Sequence, residues 1–195
     1  MQRLFTFSRP WLIVLFFVGS FSGLFAQVDI SPQRKQAIDS LALEKVRDLG
    51  KYIAIVGSKE TAFSEANRVI DRAVELFAEG SEIGVSSLSR PEILYFEVRR
   101  YFERLMALNY NQVNIKWYNI QYISDLVLQP DGRYVGVITI FQRFEGVGED
   151  GLKYKDTTKK DITVYVEQKQ TQINGRIIDY WDVLLGDIRV TETLP

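Results

Sequence analysis

Two residue types that commonly do chemistry are missing from this chain: it has no Cys and no His. Thiol chemistry, soft-metal sites and histidine acid–base catalysis are therefore excluded. The acids Glu149 and Asp150, with Asp156 nearby, are oxygen donors of the kind a hard cation takes. They lack the spacing of a dedicated calcium loop and read as a solvated turn. No metal and no cofactor is expected. There is also no Gly-rich phosphate loop after a strand and no nucleophile elbow.

Arg143 lies between Phe141 and Phe144 in an apolar segment. An Arg on a sheet face must reach solvent or find a carboxylate, so Asp179 or Asp182 is expected beside it, with a ligand contact as the alternative. Arg99-Arg100 and Lys159-Lys160 carry too few charges to mark an acidic partner or a lipid surface, and read as solvated faces. The largest group is aromatic. Trp117, Tyr118, Tyr122, Phe141, Tyr165, Tyr180 and Trp181 are too many for one layer of a core. They are either core and cross-strand pairs or, together with Arg143, an exposed patch that binds a partner.

The elements that must position these groups are legible in order. Ser31-Pro32 reads as an N-cap followed by proline at the first helical position. Ile38, Ala42, Val46, Leu49, Ile53 and Val56 then recur at helical spacing until Gly57-Ser58, with a kink or break possible at Gly50. A second helix starts near Thr61 or Ser64, buries Ala66, Val69, Ile70, Ala73, Val74 and Phe77, and ends at Gly80. Ser81 to Ser89 reads as a short or edge strand. Arg90-Pro91 is expected to open a third helix with Ile93, Leu94, Val98, Tyr101, Phe102 and Leu105 buried, ending at Asn109-Tyr110-Asn111.

Everything beyond Asn111 reads as sheet. Val113, Ile115 and Trp117 alternate, but the apolar set then shifts to Tyr118, Ile120 and Tyr122, which predicts a β-bulge near Trp117-Tyr118. Asp131-Gly132 is a turn opening a central strand from Tyr134 to Phe144. Glu145 to Gly151 reads as a long mobile loop, with Lys153 to Lys160 leading into a strand that buries Ile162, Val164 and Val166. Asn174-Gly175 is a two-residue hairpin turn. The last strand, apolar on both faces around Ile177 to Leu185, is expected to be covered on both sides for part of its length and to bend at Gly186-Asp187. These elements make an α+β domain of three helices on a strongly bent antiparallel sheet of four long strands and one short one.

At 195 residues the chain suits one domain and a short extra segment. Arg3 and Arg9 precede an apolar run from Trp11 to Phe25 that ends at Ala26, the shape of a signal peptide, with cleavage expected after Ala26. The expected location is periplasmic or secreted, with no membrane span after signal removal. No Cys follows the run, so a lipid anchor on a new N-terminal Cys is excluded. Removing Arg3 and Arg9 from the 24 basic residues leaves 22 against 25 acidic ones, a net charge of −3. Such a chain has no electrostatic footprint for nucleic acid.

The order of elements, the segment Glu82 to Pro91 and the meander from Val113 resemble the nuclear transport factor 2-like fold, also called cystatin-like. In that fold a bent sheet wraps helices into a cone, and the resemblance covers Ile38 to Val190. Leu108-Asn109-Tyr110, Phe141-Gln-Arg-Phe144 and Trp181-Asp-Val-Leu-Leu-Gly-Asp-Ile188 look like exported Bacteroidota proteins without an assigned function. The resemblance implies either a binding or assembly module or an isomerase- or dehydratase-like enzyme with a Tyr–Asp or His–Asp pair in the cone. The second pair is impossible without His. For the first, Tyr52, Tyr95, Tyr101 and Asp182 are available in type, and no residue is assigned as catalytic. The resulting expectation is a non-catalytic module. It would bind a protein partner, or a second copy, through the sheet face or cone mouth, using Arg143 and the aromatics. The alternative is a small apolar ligand in the cone.

Overall fold

Helix α1 forms over Pro32–Gly57 because one face carries an unbroken apolar stripe and its start is capped. The Ser31 side chain accepts from Arg34 N, Pro32 occupies the first turn, and Ile38, Ala42, Val46, Leu49, Ile53 and Val56 are all buried. The helix runs through Gly50 without a break, and Gly50 lies against the Trp117 side chain. The computed structural model describes residues 30–122 and 124–195, without the side chain of Tyr122. The apolar leader and the expected cleavage point after Ala26 therefore lie outside the described residues, as does the expected role of the Tyr122 side chain.

Helix α2 is shorter than expected, Phe63–Val74, with Ala66, Ile70 and Ala73 buried. The chain leaves it at Glu75 so that Phe77 can form a parallel bridge with Leu185, and Gly80 takes its positive φ in the turn that follows. Strand β1 is Glu82–Ser87, as expected.

The next segment departs from expectation: Arg90–Glu97 is strand β2, antiparallel to β1, and not the start of a helix. Ile93 and Tyr95 stay on the surface, so the helical stripe begins only at Val98. Pro91 tolerates this because β2 is an edge strand, where a missing N–H breaks no ladder. Glu97 instead serves as the N-cap of α3, Val98–Met106, accepting from Arg100 N. Val98, Tyr101, Phe102 and Leu105 are its buried face.

Strands β3 (Gln112–Tyr122), β4 (Val127–Leu128), β5 (Tyr134–Val147), β6 (Lys153–Ile173) and β7 (Arg176–Leu194) complete the sheet. The strand order is β2-β1-β7-β6-β5-β3, with β4 paired to the start of β5. All pairings are antiparallel except a parallel contact between β1 and β7 at Ile83 and Ile188, so the sheet is mixed. The expected bulge in β3 falls just after Tyr118, where Asn119 has φ 49 and the register with β5 shifts before Gln121. Leu185 and Ile188 face Val164 and Ile162, so Gly186-Asp187 oppose Thr163 alone and bend β7.

Two expectations about length are corrected. Glu145 to Val147 belong to β5 and Lys153 to Lys160 to β6, so the long loop shrinks to the turn at Gly148–Leu152. Nor is the start of β7 covered on both sides: Ile177, Ile178 and Tyr180 are exposed, because the β6–β7 hairpin projects past the helices. Its tip is the two-residue turn expected at Asn174-Gly175, with φ 51 and 78. A Gly175→Ala change will cost about 1–2 kcal/mol, because an L-residue resists that φ. The urea midpoint reads this, and an unchanged midpoint would mean that the turn relaxes freely.

The assembly is the α+β cone implied by the resemblance. Three helices cover one face of a curved sheet whose buried residues include Ile138, Ile140, Ile162, Val164, Val166, Val183 and Leu185. No helix among the described residues is long and apolar enough to cross a membrane.

Candidate functional site

The candidate site is built mainly on one face of β6. Successive strand side chains alternate between faces, so Tyr154, Asp156, Thr158, Lys160, Ile162, Val164 and Val166 all point inward. The last three are fully buried in the core. The first four continue that inner face into the open end of the cone, where the lining turns polar.

Here the sheet and helices leave a cavity of about 500 Å³. Its floor comes from the cross-strand pairs Phe144 with Asp156 and Gln142 with Thr158, and from Lys160 beside them. Its apolar walls are Val85, Phe96, Leu105, Leu108, Ile115 and Phe144, and its rim carries Ser87, Ser89, Arg90, Arg104 and Tyr110. Tyr110 and Tyr154 meet the Phe144 ring edge-on from two sides, at 5.6 and 5.8 Å between ring centres. The Arg104 guanidinium lies over the Phe96 ring, 4.4 Å from its centre.

The polar groups are held by specific bonds. Tyr154 Oη donates to Asp156 Oδ2 at 2.7 Å and accepts from the Leu88 backbone N–H at 3.0 Å, tying the β1–β2 turn to the floor. Asp156 is 4% exposed, and burial lifts its carboxyl above the usual range despite the Tyr154 bond and the field of Lys160. Burial also raises the phenols of Tyr154 and Tyr101. Gln142 is fixed by the Trp117 indole N–H at 3.0 Å.

Lys160 is 2% exposed and donates to Gly84 O at 3.1 Å, reaching beneath β7 to β1. Burial pulls its ammonium down to about 8 from 10.5, against the opposing field of Asp156. At neutral pH the amine is thus a hydrogen-bond donor close to its titration, and the Asp156 carboxyl, raised by burial, takes a proton more readily than an ordinary carboxylate. Together they can hold a ligand oxygen and exchange a proton with it.

Of the residues expected from sequence, Tyr101 lines this cavity, while Arg143 and the described aromatics Trp117, Tyr118, Phe141, Tyr165, Tyr180 and Trp181 lie elsewhere. Trp117 and Trp181 share the inner parity. Trp117 packs on Gly50, and Trp181 meets the Tyr134 ring at 5.8 Å. Tyr118, Phe141, Arg143, Tyr165 and Tyr180 lie on the outer face. Tyr118 stacks on Phe141 at 5.7 Å, and the Arg143 guanidinium sits 5.6 Å from the Tyr118 ring centre. Tyr165 takes Arg133 over its ring.

The expected partners of Arg143, Asp179 and Asp182, are out of reach because β6 separates β5 from β7. Asp182 bonds Lys169 and Asp179 bonds Gln170 instead. Of the acids suspected of cation binding, Glu149 and Asp150 are exposed on the β5–β6 turn, whereas Asp156 faces the cavity. Lys159-Lys160 is not a solvated pair either, since strand alternation sends Lys159 outward and Lys160 inward. Extending the inward register of Ile162, Val164 and Val166 backwards two residues at a time would have found Lys160, Thr158, Asp156 and Tyr154.

No family model matches the chain, and no curated protein matches it. Among solved structures, a protein described as a scytalone dehydratase from Novosphingobium aromaticivorans is 11% identical, with a TM-score of 0.43, covering 83% of this chain and 90% of that one. A type 2 hexachlorocyclohexane dehydrochlorinase is 13% identical, with a TM-score of 0.39, covering 82% of this chain and 92% of that one. At these values neither likeness bears on what this chain does.

Proposed function

We propose that this chain binds a small molecule in the open end of its cone, with Tyr154, Asp156 and Lys160 meeting the ligand's polar group. The observation that carries this is the cavity of about 500 Å³. It combines apolar walls with a few convergent polar groups, two of them charged and buried, which is how small-molecule sites are built. A cone filled with side chains would have removed this reading. The same proposal places the binding in the periplasm or outside the cell, on the strength of the apolar leader.

The test uses the uncharged fluorophore N-phenyl-1-naphthylamine. Its emission will rise on binding the wild-type chain. Thr158→Phe, which fills the floor, and Ala107→Trp, which crowds the rim, will each reduce that rise, with melting curves recorded alongside to show that both variants fold. An undiminished signal in both folded variants would place the dye elsewhere and remove the cavity reading.

The outer sheet face supports a second reading, contact with a protein partner. The stacked Tyr118–Phe141 pair is flanked in register by Lys116, Arg143 and Lys159. No carboxylate lies within ion-pair distance of Arg143 among the described residues. A twofold contact centred on the patch would bring these cations together, so the reading commits to a partner that presents carboxylates.

A further inference from the structure

The charges around the cavity are unequal. Three cations line it, Arg90, Arg104 and Lys160, against one acid, Asp156, which already accepts the Tyr154 hydroxyl. Among the described residues none of the three cations has a carboxylate within ion-pair distance. Lys160 is the most demanding of them. It is almost wholly buried, yet among the described residues its one acceptor is Gly84 O, and an ammonium has three donors to place. A buried cation normally has a partner, because the solvent it gave up must be replaced. The walls between Lys160 and the rim are apolar and aromatic, so a partner that filled the space would present an acid group on an apolar body.

We infer that the ligand of this cone is an organic anion, an aromatic or similarly apolar body bearing one carboxylate- or sulfonate-like group that seats on Lys160. This rests on the cavity being a binding site. Arg90 and Arg104 at the rim give the site a positive approach, which draws an anion toward the opening. Arg104, placed over the Phe96 ring, is also within the cavity lining that an entering ring would meet. Gln142 and Thr158 supply neutral hydrogen-bonding groups beside the seat and do not discriminate by charge.

The experiment compares two probes of the same body. 1-Anilinonaphthalene-8-sulfonate is N-phenyl-1-naphthylamine with one sulfonate added, so the difference in their affinities for the full chain isolates the anion. The sulfonate will bind about tenfold or more tightly than its uncharged parent, the size expected for a charged hydrogen bond. Lys160→Met will remove about tenfold of the sulfonate's affinity and leave the parent within about twofold, and Arg104→Gln, at an exposed position, will weaken the sulfonate by a smaller factor. Should Lys160→Met misfold, the Arg104→Gln comparison still decides. Equal affinity of the two probes for the wild type, or an equal loss of both in the variants, overturns the anion assignment alone. Failure of both probes to bind overturns the cavity reading and this inference with it.

Discussion

Between pH 8 and pH 10 the folded chain will gain stability, by about 2 kcal/mol, because Lys160 is buried as an ammonium. Its pKa is about 8 in the folded chain against 10.5 when solvated. In that interval the unfolded chain binds more protons, so raising the pH favours the folded state. Below about 8 the full cost of burying the charge is present. The groups facing Lys160 do not reverse this sign. Burial raises the Asp156 carboxyl from the carboxylate range, and it raises the phenols of Tyr154 and Tyr101, so that both keep their protons through the interval. Above pH 10 the two tyrosines work the other way, so the slope belongs to 8–10 only. Urea midpoints across that range check it, with Lys160→Met expected to give a much shallower profile, since burial also lowers Lys45 and Lys59. An undiminished slope in the Met variant would assign the effect to other groups.

Phe102→Ala will cost roughly 3–5 kcal/mol, a large part of the total stability of a domain of this size. Phe102 is fully buried on α3 and meets the Tyr101 ring edge-on at 5.4 Å. Truncation leaves a void in the fully buried face of α3, which packs on α1 and α2. Denaturant unfolding should show a lower midpoint with an unchanged slope. A loss under about 1 kcal/mol would mean that the helices close the void.

What could be read from the sequence depended on whether one period governed a segment. The stripe of α1 is six apolar residues at helical spacing behind a Ser-Pro cap, and every one of them is buried. Arg90 to Val98 admits two periods. Ile93, Leu94 and Val98 fit a helix, while the edge position that lets Pro91 sit in a strand is a property of the assembled sheet. The cavity was hidden for a different reason. Lys160 looks like half of a surface pair until β6 is known to begin at Lys153, after which parity sends it inward. Arg143 shows the limit most clearly: its reach to Asp179 or Asp182 required β5 and β7 to be neighbours, and strand order is not written in any local pattern.

The two open margins of the sheet have one more consequence. Strands β2 and β3 end the hydrogen-bonded ladder, and each carries an interruption: Pro91 in β2, and the irregularity at Asn119 in β3, beside the exposed charge of Lys116. A free strand from another copy finds one donor missing along one margin and a kink with a cation along the other, so growth into fibrils by strand addition is disfavoured at both ends. A chain with about half its residues apolar and no disulfide to constrain it thereby carries its own protection against self-templated assembly.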